Sequence, residues 1–148
     1  MTIKRLGELV EDSFGWLLDE FGFTLIHEES YPRDYGNSIV VLESHECRLR
    51  IVLERSQVFV EVGSLHAPLD WAAQAPDLWF DITDVIPFMT HEDVEWQYPL
   101  RDGDLVISSS LMDQMKGIST ALRPFMRNTI HLFSPGVFED RQMELIQF

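Results

Sequence analysis

Hydrophobic residues recur with helical spacing at the start of the chain and with strand-like spacing after it. Over residues 3–21, at about 100° per residue, the apolar side chains fall on one broad helix face. That face carries Ile3, Leu6, Leu9, Val10, Phe14, Leu17, Leu18 and Phe21. The opposite face is acidic and carries Glu8, Glu11, Asp12 and Asp19. The pattern predicts one amphipathic helix that Thr2 caps and Gly22 ends.

A stretch rich in Val, Ile, Leu and Phe follows, interrupted by turn residues. It predicts a first strand near 23–29 and then three strands near 38–45, 47–54 and 57–63. The turns between these last three are too short for a parallel crossover, so the strands must pair antiparallel as a meander. We expect the strand near 47–54 to be the middle one of the three.

The strand near 47–54 alternates between apolar and polar side chains. Leu49, Ile51 and Leu53 are therefore expected to be buried. A wetter face carries Arg48, Arg50 and Glu54, with Val52 as its apolar exception. The two arginines are expected to form exposed cross-strand ion pairs with Glu43 or Glu61.

Helical patterns dominate the rest of the chain after a connection at 64–78. Asp81 is a predicted N-cap for a short helix. Pro87 either limits the length of this helix or lies in its first turn, if the helix starts later. A second long helix is predicted from Leu105 to about Arg123, and Pro124 is expected to kink it or restart it before it continues over 125–133. A last short amphipathic helix closes the chain. The predicted fold is a single α+β domain over 1–148, with an N-terminal helix, an antiparallel meander of about four strands and C-terminal helices.

The net charge of the chain indicates which classes of partner it can bind. The chain has 25 Asp and Glu against 11 Lys and Arg, which gives a formal net charge of −14. Such a surface repels nucleic acids and anionic lipid and attracts basic proteins. No apolar run approaches the roughly 20 residues of a membrane span. The N-terminus lacks the apolar stretch of a signal peptide, and the single cysteine, Cys47, allows no internal disulfide. We therefore expect a cytoplasmic protein.

Catalytic and metal-binding patterns are not found in the sequence. It contains no metal-ligand spacing, nucleophile elbow or phosphate-binding loop, so we expect no enzyme activity, cofactor or metal. The nearest metal cluster is His91-Glu92-Asp93, three consecutive residues. The nearest nucleophile is Cys47, two residues after His45, without positive charge around it to activate the thiol. The simpler interpretation of Cys47 is a small residue that opens a strand.

One segment combines acidic and aromatic side chains in the way that interaction surfaces do. We predict that it contacts a partner through Glu92, Asp93, Glu95, Trp96, Tyr98, Asp102 and Asp104. Tyr and Trp are enriched at interface hot spots, and surrounding carboxylates steer a basic partner into contact. The alternative is that the two aromatic side chains pack beneath their own loop while the acids are merely solvated.

Two stretches resemble a segment of small bacterial toxin-immunity proteins. They are ERSQVFVEVGS at 54–64 and WFDITDVI at 79–86, and the likeness covers about residues 38–89. It implies a cytosolic binding protein that neutralises a toxin by covering the toxin's active site. The alternative function is a structural or adaptor subunit of a bacterial assembly, a homo- or hetero-oligomer formed through the C-terminal helices. Apolar residues at 137–148 that cannot all be buried would favour this alternative.

Overall fold

An antiparallel sheet forms the centre of the fold, and its strands follow one another in chain order. The computed structural model describes residues 5–31, 37–70, 75–91 and 111–148. Within those residues the strand order is β1-β2-β3-β4-β5, and each neighbouring pair is antiparallel. The strands are β1 Thr24–Tyr31, β2 Asn37–Glu43, β3 Cys47–Glu54, β4 Gln57–Ser64 and β5 Trp79–Asp81. The predicted α+β class and the predicted meander are confirmed.

A two-residue turn joins β3 to β4. Both of its central residues, Arg55 and Ser56, have positive φ angles, 50° and 65°. A type I′ turn requires this backbone, and its twist matches that of the flanking strands. The turn is tied to β2 because the backbone N–H of Arg55 donates a hydrogen bond to the side chain of Asn37, at 2.8 Å.

The short strand β5 was not predicted from the sequence. Its three residues pair with Glu61, Val62 and Gly63 of β4, at the end of a connection that contains two prolines. The close approach depends on Gly63, because a Cβ there would lie 2.7 Å from the Leu78 carbonyl oxygen. Three residues are too few to show a strand period, so only the pairing reveals β5.

The prediction of one continuous helix at the N-terminus is wrong, because the helix breaks at Phe14. The two pieces are α1 Leu6–Ser13 and α2 Gly15–Phe21. In an unbroken helix the N–H of Leu17 would donate to the Ser13 carbonyl. It donates to Phe14 instead, at 2.9 Å, and the Ser13 carbonyl accepts from the Ser119 hydroxyl, at 2.7 Å. The predicted end at Gly22 is confirmed by its left-handed φ of 71°.

The remaining helices follow β5. They are α3 Ile82–Thr90, α4 Leu111–Leu122, α5 Met126–Phe133 and α6 Val137–Gln147, with a 3₁₀ turn at Arg123–Phe125. The predicted cap of α3 is confirmed, because the Asp81 carboxylate accepts hydrogen bonds from the backbone and hydroxyl of Thr83, at 2.8 and 2.7 Å. The predicted disturbance at Pro124 takes the form of the 3₁₀ turn. Residues 105–110 of the predicted long helix lie outside the described residues.

The helices cover one face of the sheet and form the main core with it. Leu49 and Ile51 of β3 are fully buried in this core, as predicted, together with Val40 of β2 and Val60 of β4. Leu53 is only half-buried, because it lies near the β3–β4 turn at the end of the sheet. The prediction that Leu53 is a core residue is therefore corrected.

The opposite face of the sheet is drier than the sequence predicts. Val41 and Trp79 are buried there with Ala67, which belongs to the connection between β4 and β5. Arg50 and Val52 also point to this face and are buried. On this wetter face Glu54 is exposed and Arg48 is partly buried, but the expected exposure of Arg50 was wrong, because the alternation of a strand shows which side chains share a face, and not what covers that face.

Candidate functional site

The residues predicted to contact a partner all follow α3 in the chain. Glu92, Asp93, Glu95, Trp96, Tyr98, Asp102 and Asp104 lie outside the described residues. The residue before them, His91, is exposed and has a left-handed φ of 57°. The interaction predicted for this segment stays a prediction.

Cys47 opens β3 and is fully buried, which matches the simpler interpretation of this residue. Burial raises the pKa of its thiol to about 12, and the neighbouring Ser44 hydroxyl offsets part of that effect. A nucleophilic cysteine needs the thiolate form, which positive neighbours stabilise. The Cys47 side chain therefore stays a neutral thiol at physiological pH, and His45 beside it is exposed.

Ion pairs within the chain engage much of its positive charge. At least five arginines are paired with carboxylates. These pairs are Arg5–Glu28, Arg48–Glu43, Arg50–Glu61, Arg123–Glu20 and Arg141–Glu144. Among the described residues, no three His, Cys, Asp or Glu side chains are grouped as metal ligands would be. The surface potential of the described part is therefore set by its surplus of carboxylates.

Arg50 organises the second face of the sheet. Its guanidinium lies 2.8 Å from the Glu61 carboxylate and 4.5 Å from the centre of the Trp79 ring. The Trp79 indole N–H donates to the Pro68 carbonyl, at 2.9 Å, which fixes the connection over this face. The predicted pairs Arg48–Glu43 and Arg50–Glu61 both form, but the Arg50 side chain is 8% exposed rather than solvated. This cluster stabilises the fold, because its polar groups bind one another.

The acidic face of α1 and α2 is presented to solvent. Glu8, Glu11, Asp12 and Asp19 are all exposed, as their positions on the predicted helix indicate. Apolar residues of these two helices and of the break between them are buried in the main core and hold these carboxylates on a fixed backbone, namely Leu6, Val10, Phe14 and Leu17. We call the four exposed acids the α1–α2 acidic face. A fixed negative surface of this kind attracts a basic partner over a Debye length of about 8–10 Å.

Helix α6 exposes large apolar side chains. Met143 is 63% exposed, Ile146 is 39% exposed and Phe148, just after the helix, is 64% exposed. Phe138 and Leu145 on the other side of α6 are buried and attach the helix to the core. The amphipathic helix was predicted from the sequence, but the exposure of these particular residues was not. A helical wheel centred on the buried pair would have shown that Met143 points away from the core.

A groove of about 460 Å³ opens between α3, α5 and α6. Phe88, Leu132 and Val137 provide apolar lining, and the rim carries Asp140 and Arg141. His91 and His131 also line it. The groove was not predicted from the sequence, because its walls come from three helices that are far apart in the chain. Since the rim holds both a carboxylate and a guanidinium, its charge selects neither an anion nor a cation.

Comparisons with known proteins add no family to this picture. The chain matches no family model, no curated protein and no solved structure. In the described residues, no helix has the length and apolar character needed to cross a membrane.

Proposed function

We propose that this protein is an acidic protein-binding module of the immunity or inhibitor type. It binds a basic toxin domain and neutralises that toxin by covering its working surface. The proposal is supported mainly by where the positive and negative side chains of this protein lie. At least five arginines are engaged in pairs within the chain, while the α1–α2 acidic face is exposed. The buried Cys47 thiol, with its raised pKa, is not an activated nucleophile.

Occlusion is the mechanism that this arrangement supports. Carboxylates on fixed helices would occupy the places where a basic toxin holds the phosphates of its own substrate. Steering by charge acts mainly on the association rate, and buried aromatic or aliphatic anchors act mainly on dissociation. The protein therefore needs no chemical step of its own.

The experiment is affinity capture from the source cells, followed by identification of the captured protein and a toxicity assay. We expect one basic partner, whose expression alone arrests growth and whose co-expression with this protein restores growth. Complex formation should weaken as salt screens the charges. A captured partner that is acidic, or whose toxicity this protein does not relieve, would contradict the proposal.

Charge-reversal variants test the role of the α1–α2 acidic face. Glu8→Lys with Glu11→Lys should slow association with the captured partner and flatten its salt dependence. Glu46→Lys with Asp77→Lys is the matched control, since all four side chains are exposed and each pair makes the same change in net charge. Equal effects of the two pairs would mean that the acidic face has no special role in the encounter.

A separate prediction concerns partner binding by the segment 92–104. Charge reversal at Glu92, Asp93 and Glu95 should slow association, whereas Trp96→Ala should raise the dissociation rate by at least about tenfold, or about 1.4 kcal/mol. Both rates can be measured with the captured partner on a sensor surface. If neither variant changes the kinetics, the segment is not the contact surface.

A second function, a structural or adaptor subunit, is favoured by one observation. Met143, Ile146 and Phe148 are exposed in the C-terminal helical region. An oligomer formed through α6 would bury them. Sedimentation of the purified chain over a range of concentrations tests this function, because self-association through these residues would appear as a dimer or larger species.

A further inference from the structure

Met143 lies at the centre of the outward side of α6. Along an α-helix it is about 140° from Phe138 and about 160° from Leu145, the two residues that α6 buries. Ile146 follows one turn later and extends the exposed apolar area. Residues three and four apart are neighbours on a helix surface, so these two side chains form one patch. We call Met143 and Ile146 the α6 apolar patch.

Carboxylates lie near this patch. Glu139 and Asp140 are four and three residues before Met143, and both are exposed, as is Glu144. The Glu139 carboxylate also accepts a hydrogen bond from the Gly136 backbone N–H, at 2.6 Å, and Asp140 lines the edge of the groove between α3, α5 and α6. The one positive side chain of α6, Arg141, is held by Glu144 at 3.3 Å and lies 5.0 Å from the Phe88 ring centre. It is thus directed toward the groove between α3, α5 and α6. The outward side of α6 has apolar side chains at its centre and negative charge around them.

This distribution of charge selects the kind of partner. An apolar contact flanked by Lys or Arg would bury the α6 apolar patch and neutralise the carboxylates around it. A second copy of the chain would instead place Glu139, Asp140 and Glu144 against acids of the same helix. Each copy also carries a net charge of −14, so self-association works against strong repulsion.

We infer that the outward side of α6 is a docking surface for a basic partner protein, which contributes an apolar contact flanked by Lys or Arg. The inference rests on the proposed function, because it takes a basic protein as the partner. Methionine suits this role, since its flexible and polarisable side chain adapts to the shape of the surface it meets. The α1–α2 acidic face would then assist the encounter, and α6 would slow dissociation.

A synthetic amphipathic helical peptide of Leu and Lys is the direct probe. A peptide of the same pattern with Glu in place of Lys is its control. We expect the Leu/Lys peptide to shift the backbone amide NMR signals of residues 137–148 and the Leu/Glu peptide to leave them unchanged. Shifts confined to α1 and α2 would overturn the inference, because charge alone would then explain binding.

Matched variants test whether the apolar patch itself binds. Met143→Ser with Ile146→Ser should weaken binding of the Leu/Lys peptide by about tenfold or more. Ile26→Ser is the control, because Ile26 on β1 is 37% exposed and Ile146 is 39% exposed. The unfolding temperatures of both proteins should lie well above the temperature of the binding measurement, so that the two folded proteins are compared. Equal binding by the double variant and the control would overturn the inference.

Two further outcomes separate this inference from the proposed function. If the peptide binds α6 but no toxic basic partner is captured from cells, the docking surface stands and the inhibitor function fails. If a toxic basic partner is captured and Met143→Ser with Ile146→Ser leaves its dissociation rate unchanged, the inhibitor function stands and the docking surface fails. A stable dimer that the same double variant dissociates would overturn the inference in favour of a second copy.

Discussion

Ile51 shows how a single side chain contributes to the core. It is fully buried on the helix-covered face of β3, whereas Leu53, two residues later on the same face, is half-buried. Ile51→Ala should lower the free energy of unfolding by about 2–5 kcal/mol, because it removes buried methyl groups and leaves a cavity. Leu53→Ala should lower it clearly less. Urea denaturation of both variants measures the difference, and equal losses would mean that burial does not set the cost.

Glu61 gives the fold a specific dependence on pH. Burial raises the pKa of its carboxyl above the ordinary value of 4.5, nearby Asp81 and Glu54 raise it further, and Arg50 offsets part of the shift. An acid with a raised pKa holds its proton more tightly in the folded state. Its contribution to stability is therefore full below pH 4.5 and is lost as the pH rises through the folded-state pKa.

Glu61→Gln isolates this effect, because the amide has almost the same shape and does not titrate in this range. The stability of the original chain relative to the variant should fall as the pH is raised from about 4.5. Chemical denaturation of both proteins at a series of pH values measures this difference. A difference that stays constant with pH, or that grows, would contradict a raised pKa at Glu61.

The side chain of Gln114 connects helix α4 to strand β4 of the sheet. Its side-chain oxygen accepts a hydrogen bond from the backbone N–H of Val58, at 3.2 Å, and its nitrogen donates to the Ser56 carbonyl, at 3.0 Å. Strand β5 pairs only with residues 61–63 of β4. Gln114 therefore binds the start of β4, where no strand among the described residues pairs with that edge.

Replacing the Gln114 side chain measures how much its two hydrogen bonds stabilise the edge of β4. Gln114→Met keeps a similar volume but leaves the Val58 N–H without this acceptor in a buried place. We expect a loss of about 1–3 kcal/mol, the usual cost of such an unsatisfied group. Amide hydrogen exchange at Val58 should accelerate more than exchange at Ile51. If the two amides respond equally, the substitution acts on the whole fold and not on this edge.

Net charge acts on the molecule as a whole. Carboxylates exceed basic residues by 14, and at least five arginines are engaged in ion pairs within the chain. Repulsion among the remaining carboxylates opposes the compact state, and salt screens it. The unfolding temperature should therefore rise with NaCl concentration, by a smaller amount in the Glu8→Lys, Glu11→Lys variant. A fall with added salt would mean that attractive pairs dominate.

The candidate binding surfaces differ in how far the sequence could predict them. The α1–α2 acidic face follows from helical spacing, because a helix that buries one stripe exposes the opposite one. The groove between α3, α5 and α6 could not be predicted, since its lining depends on how three helices are placed. The exposure of Met143 could be predicted only in part. Its position on α6 is a local property, but only the packing of Phe138 and Leu145 shows which side of α6 is covered.

Elements with local signals could be predicted from the order of residues alone. The strands of the meander follow from alternation and short turns, and the start of α3 follows from the carboxylate of Asp81. The break at Phe14, the strand β5 and the burial of Arg50 could not be predicted in this way. Each depends on a distant partner: the Ser119 hydroxyl for Ser13, β4 for β5, and the ring of Trp79 for Arg50. Local patterns cannot report such contacts, because chain folding alone brings the two sides together.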